Sequence, residues 1–376
     1  MTCKTKDLKV ALVHDWLVSE GGAEQVLRCF HEVWPDAPIY TLVYNEKKAP
    51  AWTRKCDIRT TYIQNWPGGR THHKLLLSFM PKAWESLNLT EYDLVISSCA
   101  SCCKGVITRP DSLHVCYCHS PIRYVWDLYY DYLNGASILK RVFMPHLIHD
   151  VRMWDFQAAQ RVDRFISNSD YVGKRITKFY RRESTTIYPG IRLPEGEVSE
   201  ERGDYYFVLS RFVGYKRIDI AIEACNKLGR RLIVAGSGGE EEERLRAMAG
   251  PTVEFVGRVS DEQLAYYYGH AKAFLFPGIE DFGLTPLEAM AGGCPVLAYG
   301  EGGALETVID GKTGRFFHDQ NAEGLARCIN EFECGGVEFT HQQIHQHSLR
   351  FSKDVFIRNI TDFIHRTLIE RGLIKE

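Results

Sequence analysis

The chain has 376 residues, 45% of them hydrophobic and 25% charged, with a formal net charge of −2. That length suits two domains of ordinary size, and the composition is that of a folded protein, which excludes a disordered chain. The near-neutral balance excludes a global basic field for nucleic acid, and no apolar run approaches the ~20 residues that span a bilayer.

In chain order, Leu8–Val13 is a continuous apolar run, the pattern of a strand buried on both faces of a parallel sheet. A helix follows over Ala23–Val33, with Val26, Leu27, Phe30 and Val33 at helical spacing. Strands are expected at Ile39–Val43, Leu94–Ser97, Leu113–Cys118 and Phe165–Ser167, and long helices at His72–Ser86 and Pro145–Arg161. The polar stretch Pro194–Asp204 is the expected domain boundary. The alternation then restarts. Tyr205–Leu209, Arg231–Ala235, Val253–Val256, Ala273–Phe276 and Val296–Ala298 read as strands, and Ile218–Leu228, Glu240–Met248, Asp261–His270 and Thr285–Ala291 as helices. The tail from Ala322 reads as helical. Two doubly wound α/β domains are expected, residues 1–190 and 200–352, with residues 353–376 a helix crossing back to the first. A cleft between them is the natural ligand site.

The opening MTCKTKDLKVALVHDW has a short apolar stretch and no small-residue cleavage site, so no secretory leader is expected. Twelve cysteines show no disulfide framework, and a reducing cytoplasm is expected. Cys99, Cys102 and Cys103 precede Cys116 and Cys118, a superficial zinc spacing. The second pair sits in a strand, where Cys-x-Cys points both thiols to one face. These read as small buried hydrophobes, and no metal site is expected.

Four segments carry candidate chemistry. The first, Pro277 to Met290, follows a buried strand and opens a helix. Thr285, Pro286 and Glu288 fit a Thr-x-x-Glu capping box, which would account for Glu288 structurally. Glu280, Asp281 and Gly283 remain as a polar loop at the end of a parallel strand, where open α/β sheets bind ligands. Free backbone N–H groups at such a helix start can hold an anion, and the carboxylates can accept bonds from sugar hydroxyls. The second segment is Ser210 to Arg217. Arg211 lies just past a strand and Lys216 just before a helix, a fork donor and a point charge suited to a diphosphate, or else two solvated cations. The third is Gly21-Gly22-Ala23-Glu24, whose glycines permit close approach to a phosphate or sugar. The fourth, Tyr117 to Asp127, puts His119 at a strand end, with Tyr124 and Trp126 as stacking surfaces.

Two patterns point away from other chemistries. Gly236-Ser237-Gly238-Gly239-Glu240-Glu241 has Glu241 where a dinucleotide fingerprint needs glycine. No Asp-x-Asp occurs, so the simplest carboxylate bracket for a divalent metal on a diphosphate is missing. Arg211 and Lys216 are left as the counter-charges.

In this order the four segments resemble the family-four retaining glycosyltransferases of GT-B fold, over essentially the whole chain. Glu280 and Glu288 match the family's two glutamates separated by seven residues, Arg211 and Lys216 its phosphate-binding pair, Gly21-Gly22 its glycine loop, and His119 its histidine beside the transferred sugar. The wording Val13-His14-Asp15-Trp16-Leu17, His119-Ser120-Pro121-Ile122-Arg123-Tyr124 and Glu280-Asp281-Phe282-Gly283 resembles the bacterial O-antigen and exopolysaccharide mannosyltransferase branch. Asp281 departs from a glycine common in other branches.

The resemblance implies hexose transfer with retention, mannose from GDP-mannose being favoured and a UDP-sugar the alternative. The acceptor would be a glycan or lipid-linked oligosaccharide in cell-surface polysaccharide synthesis, and no cofactor is implied. Arg211, Lys216 and the Gly22 backbone would stabilise the leaving phosphate. Glu280 and the Phe282–Leu284 backbone would hold the sugar, Glu288 the ribose, and His119 the reacting face, with Arg258 in Gly257-Arg258-Val259 near the base. Asp15, Arg123 and Trp126 are the expected acceptor contacts. A nucleotide-sugar epimerase, a phosphorylase-like enzyme on the same fold and a non-catalytic carbohydrate-binding protein are the competing readings. Finally, Trp66–Trp84 and the basic Tyr171–Arg182 segment read as a surface for an anionic membrane, placing the protein on the inner face of the cell membrane; the alternative has Leu75–Leu77 and Phe79 in the core.

Overall fold

A computed structural model describes residues 8–134, 138–193, 198, 201–335 and 339–375. The chain divides into two compact units, residues 1–189 with 356–376, and residues 190–355. Of the boundary stretch Pro194–Asp204, residues 194–197, 199 and 200 lie outside the described residues.

The first unit is a seven-stranded parallel sheet of β1 (Val10–His14), β2 (Ile39–Thr41), β3 (Ile58–Thr60), β4 (Leu94–Cys99), β5 (Leu113–Cys118), β6 (Arg164–Ser167) and β7 (Ser184–Thr186). The order is β3-β2-β1-β4-β5-β6-β7. Strands β1, β4 and β5 are buried throughout, which is why they read as mainly apolar runs, with serine or histidine at a few positions. The edge strands β3 and β7 are short, half-exposed and polar, and no apolar run announces them. The helix Gly22–Val33 buries Val26, Leu27 and Phe30 against the sheet. The last helix, Lys353–Glu370, joins this core, with the Phe356 ring 6.0 Å from Phe30 and 5.7 Å from Tyr117.

Two helices differ from the sequence expectation. His72–Ser86 is not one helix. It is a short helix Gly69–His72, a 3-10 stretch His73–Phe79 with Leu76 at φ −95°, and a helix Met80–Glu85. Pro81 has no amide hydrogen for the carbonyl four residues back, so the run must restart with proline in its first turn. The second helix, Ile138–Gln160, begins before Pro145, which lies inside it.

The second unit is a six-stranded parallel sheet of β8 (Tyr206–Leu209), β9 (Leu232–Ala235), β10 (Val253–Gly257), β11 (Ala273–Phe276), β12 (Val296–Tyr299) and β13 (Gly314–Phe317), ordered β10-β9-β8-β11-β12-β13. Helices Ile218–Leu228 and Ala322–Glu333 pack on one face through Ile222, Cys225, Leu325 and Ile329. Ser260 and Gln263 form a complete capping box on the helix Asp261–His270.

Both sheets are doubly wound and reverse their order once, between β1 and β4 in the first unit and between β8 and β11 in the second. At such a point successive connections leave to opposite faces, opening a crevice at the carboxyl ends of the two strands.

Candidate functional site

In the second unit, Arg211 follows β8 and is exposed, with no side-chain partner among the described residues. Lys216 ends the 3-10 turn Gly214–Lys216, and its Nζ is ion-paired with Glu280, which follows β11. Close backbone packing brings them together. A Cβ at Gly278 would lie 2.9 Å from backbone atoms of Tyr215 and Lys216, and one at Gly303 would lie 2.3 Å from Phe282 Cα. The Gly303 amide also donates to the Glu280 carbonyl at 2.9 Å. The Glu280 loop is thus held between the Lys216 turn and the turn after β12, while buried Phe282 packs on Phe351 and Asp281 is half-buried.

The capping-box reading of Glu288 does not hold. Gly283, at φ +86°, is the N-cap, and the helix Leu284–Ala291 starts one residue before Thr285. Glu288 therefore falls in the second turn, too far along to cap it. Its Oε2 instead accepts the Tyr268 hydroxyl at 3.4 Å. Burial raises its pKa, and the Tyr268 hydroxyl draws it back.

Arg258 donates from Nε to Ser237 Oγ at 2.8 Å, and the Gly236 amide donates to the Gly257 carbonyl at 2.8 Å. The glycine-rich run has a structural use that its failed dinucleotide pattern concealed. Gly236 sits at φ +120°, and a Cβ there would lie 1.9 Å from the Ser210 carbonyl oxygen. Only glycine lets this loop lie against the Ser210–Phe212 segment that carries Arg211.

In the first unit, His14, Ser98 and His119 stand at the carboxyl ends of neighbouring β1, β4 and β5. Ser98 Oγ lies 3.2 Å from His14 Nδ1 and 2.8 Å from His119 Nε2. Burial and nearby His14 push the His119 pKa down to about 3, so its ring is neutral. Gly21 is the N-cap of the helix Gly22–Val33 with no side-chain cap, and Gly22 is its first residue. Buried Glu24 lies in the first turn, its Oε1 3.8 Å from His14 Nε2.

The three expected acceptor contacts are engaged within the fold. Asp15 is buried and accepts four backbone amides, from Ala100 at 2.6 Å and from Ser101, Cys102 and Cys103 at 2.8 Å. Burial lifts its pKa to about 6, and the amides oppose the rise. Two amides on each oxygen occupy this carboxylate, which organises the loop after β4. Trp126 donates from Nε1 to Asp155 at 2.8 Å and stacks on Phe179 at 5.0 Å. Asp155 also takes the Tyr180 hydroxyl at 2.8 Å and pairs with buried Lys104, which donates to the Ser101 carbonyl at 2.9 Å. Arg123 lies 3.7 Å from Asp127, which also pairs with Arg175.

Cys99, Cys102, Cys103, Cys116 and Cys118 are buried thiols, and burial pushes the Cys99 pKa up to about 12. Among the described residues, Asp15, Cys99 and Cys103 are close enough to share a metal. Both Asp15 oxygens are already taken by amide hydrogens, which disfavours a cation between them.

The segment Trp66–Trp84 divides. Leu77, Met80 and Trp84 are core, while Leu75 is 77% and Phe79 43% exposed. Trp66 lies 5.3 Å from Tyr62 and 5.0 Å from Phe79, with Arg70, Lys74 and Lys82 exposed around them. The second basic segment is weaker than expected. Arg175 is buried on Asp127, and Arg182 donates to backbone carbonyls of Ala159 and Val162, leaving Lys174, Lys178 and Arg181 exposed. No helix among the described residues is long and apolar enough to cross a membrane.

Residues 21–194 match Glycosyltransferase Family 4, and residues 192–346 match Glycosyl transferases group 1. A glycogen synthase of Xanthomonas campestris is 29% identical over 186 residues, 47% of this chain and 36% of the relative. The chain thus aligns with about a third of the length of the glycogen synthases it matches. The alpha-1,3/1,6-mannosyltransferase ALG2 of Dictyostelium discoideum is 23% identical over 266 residues, 57% of this chain and 60% of the relative. The fold resembles that of Anabaena HepE, solved in complex with UDP and glucose, at a TM-score of 0.70 and 17% identity over 95% of this chain and 99% of that one. Two successive family matches spanning residues 21–346, on two doubly wound units of GT-B type, establish that this chain belongs to the group 1 and family 4 glycosyltransferases.

Proposed function

We propose that the protein is a retaining glycosyltransferase that moves a hexose from a nucleotide-diphosphate sugar to a glycan or lipid-linked oligosaccharide without a divalent metal. The observation that carries this reading is the Lys216–Glu280 pair at the point where the second sheet reverses its order, with exposed Arg211 on the same connection after β8 as Lys216. In the free protein Glu280 neutralises Lys216. An incoming diphosphate offers Lys216 more negative charge than one carboxylate does, so the ammonium changes partners. Glu280 is then released to accept sugar hydroxyls. Arg211 and Lys216 stabilise the charge that grows on the departing phosphate, the role a metal would otherwise fill. Glu288, half-buried and outside any cap, accepts the ribose hydroxyls. The departing phosphate oxygen takes the acceptor's proton, so no protein general base is needed.

Mannose from GDP-mannose is the favoured donor, supported by the His119–Tyr124 and Glu280–Gly283 wording and by the likeness to ALG2. A UDP-sugar is the second reading, favoured by the likeness to HepE, which was solved with UDP and glucose. The exposed Leu75, Phe79, Arg70, Lys74 and Lys82 support an anionic leaflet on the cytoplasmic side as the place where a lipid-linked acceptor is met. Thermal stabilisation by a panel of nucleotide sugars tests the donor. Anomeric analysis of the product tests retention, and transfer only with an acceptor separates this reading from an epimerase.

A further inference from the structure

Four side chains of the first unit form a line that the proposed reaction does not use as such: Glu24, His14, Ser98 and His119. Only His119 was expected to meet the sugar. Glu24 Oε1 lies 3.8 Å from His14 Nε2, Ser98 Oγ 3.2 Å from His14 Nδ1, and His119 Nε2 2.8 Å from Ser98 Oγ. Glu24 is 7% and His14 3% exposed, so bulk water does little to screen the carboxylate from the imidazole. The other ring nitrogen of His119, Nδ1, has no hydrogen-bond partner among the described residues.

Between neutral imidazoles a serine hydroxyl with one hydrogen and two lone pairs can donate to one ring and accept from the other, in either of two directions. It can also accept from both, which already leaves His119 in the Nε2–H form. In one direction, His14 carries its hydrogen on Nδ1 and donates to Ser98, which donates to His119 Nε2. That direction turns the bare Nε2 lone pair of His14 toward the Glu24 carboxylate, two negative ends facing each other in a buried site. In the other, His14 carries its hydrogen on Nε2, toward Glu24. Its Nδ1 accepts from Ser98, and Ser98 Oγ accepts from His119 Nε2–H. The carboxylate favours the second direction, which leaves His119 Nδ1 as a lone pair.

We propose that Glu24, acting through His14 and Ser98, fixes His119 in the Nε2–H form, so that Nδ1 presents a hydrogen-bond acceptor to a hydroxyl of the sugar. Glu24, His14 and Ser98 are positioning residues, and the inference rests on the reading that His119 meets that sugar. Gly21 belongs to the same device. A Cβ there would lie 3.2 Å from Glu24 Oε2, close enough to press on the carboxylate.

The tautomer is read directly by two-bond nitrogen–carbon NMR of the full chain labelled at histidine, with His119→Gln identifying the His119 signals. The spectra need no nucleotide sugar, so they stand or fall separately from the donor assignment. Wild type should show His119 only as the Nε2–H form. Ser98→Ala cuts the line, and Glu24→Gln offers His14 either an amide oxygen or an NH2, so both should show a mixture of the two forms. In both variants turnover should fall while nucleotide affinity is retained. An Nδ1–H form in the wild type would overturn the proposal without any variant having to fold. So would a single unchanged form in both variants.

Discussion

Lys216 and Glu280 reach each other from the carboxyl ends of β8 and β11, the two adjacent strands at which the second sheet reverses. Sixty-four positions separate them in sequence, yet Gly278 lets their loops touch backbone to backbone. In the proposed reaction Lys216 becomes the counter-charge for a diphosphate and Glu280 is released to a sugar.

Removing that counter-charge should cost roughly 2.7–4 kcal/mol of transition-state stabilisation, the value of one lost donor to developing charge. Lys216→Ala should therefore lower kcat by about 10²–10³-fold. Glu280→Gln should spare nucleotide affinity and damage transfer. Gly278→Ala would place a carbon 2.9 Å from the Lys216 backbone, so it should separate the pair and lower turnover with little change in far-UV circular dichroism. Steady-state kinetics beside calorimetric nucleotide affinity checks all three.

Glu288 makes a prediction with a definite sign. Burial raises its pKa above the usual carboxylate range. In the proposed site ribose hydroxyls donate to the ionised form, so nucleotide affinity should fall as pH drops through that raised value. Folding stability runs the other way. The folded state holds this proton better than the unfolded chain, so the group's cost to stability appears as pH rises from the unfolded pKa to the folded one. Calorimetric titration of nucleotide across pH should show the acid loss in wild type and a flat, weaker profile in Glu288→Gln.

The first unit should be acid-sensitive. Buried His114 and His73 have pKa values pushed down by burial to about 3 and about 4. Unfolding lets each take a proton below its ordinary value of 6.5. Their neutral burial is free of cost above that value, and stability is lost as pH falls toward the folded values. At pH 5 the loss is roughly 2 kcal/mol per histidine, a large part of a typical domain's stability. All seven tryptophans lie in this unit, so tryptophan fluorescence during thermal unfolding at pH 7 and pH 5 reports it alone. An unchanged midpoint would contradict the shifts.

Leu75 and Phe79 test the membrane surface. Leu75→Ser with Phe79→Ser should abolish flotation with anionic vesicles while leaving the thermal midpoint nearly unchanged, because both side chains are exposed. Charge reversal belongs at Lys74 and Lys82, each worth about 1 kcal/mol near an anionic surface. It does not belong at Arg182, whose guanidinium is used inside the fold.

Much of this was legible in the sequence because parallel strands buried on both faces read as unbroken apolar runs. Ala273–Phe276 is such a run and Leu113–Cys118 is one interrupted only by His114, and their ends fix where His119 and Glu280 emerge. The edge strands β3 and β7 were hidden because half-exposed polar residues carry no periodic signal. The capping-box alternative for Glu288 arose because Thr285-x-x-Glu288 satisfies a local rule, whereas Gly283 at positive φ starts the helix earlier. Asp15 and Trp126 looked like ligand contacts because polar and aromatic residues at strand ends often are. Their partners lie far along the chain, at residues 100–103 and at Asp155, and only the fold brings them together. The Glu24–His14–Ser98–His119 line was invisible for the same reason.

The central claim is tested most directly by titrating GDP-mannose, with UDP-glucose alongside, into wild type and Lys216→Ala in the presence of a chelator. The account predicts binding of a nucleotide-diphosphate sugar to wild type without metal, and its loss in Lys216→Ala. Binding that needs added magnesium and is the same in both proteins would contradict it.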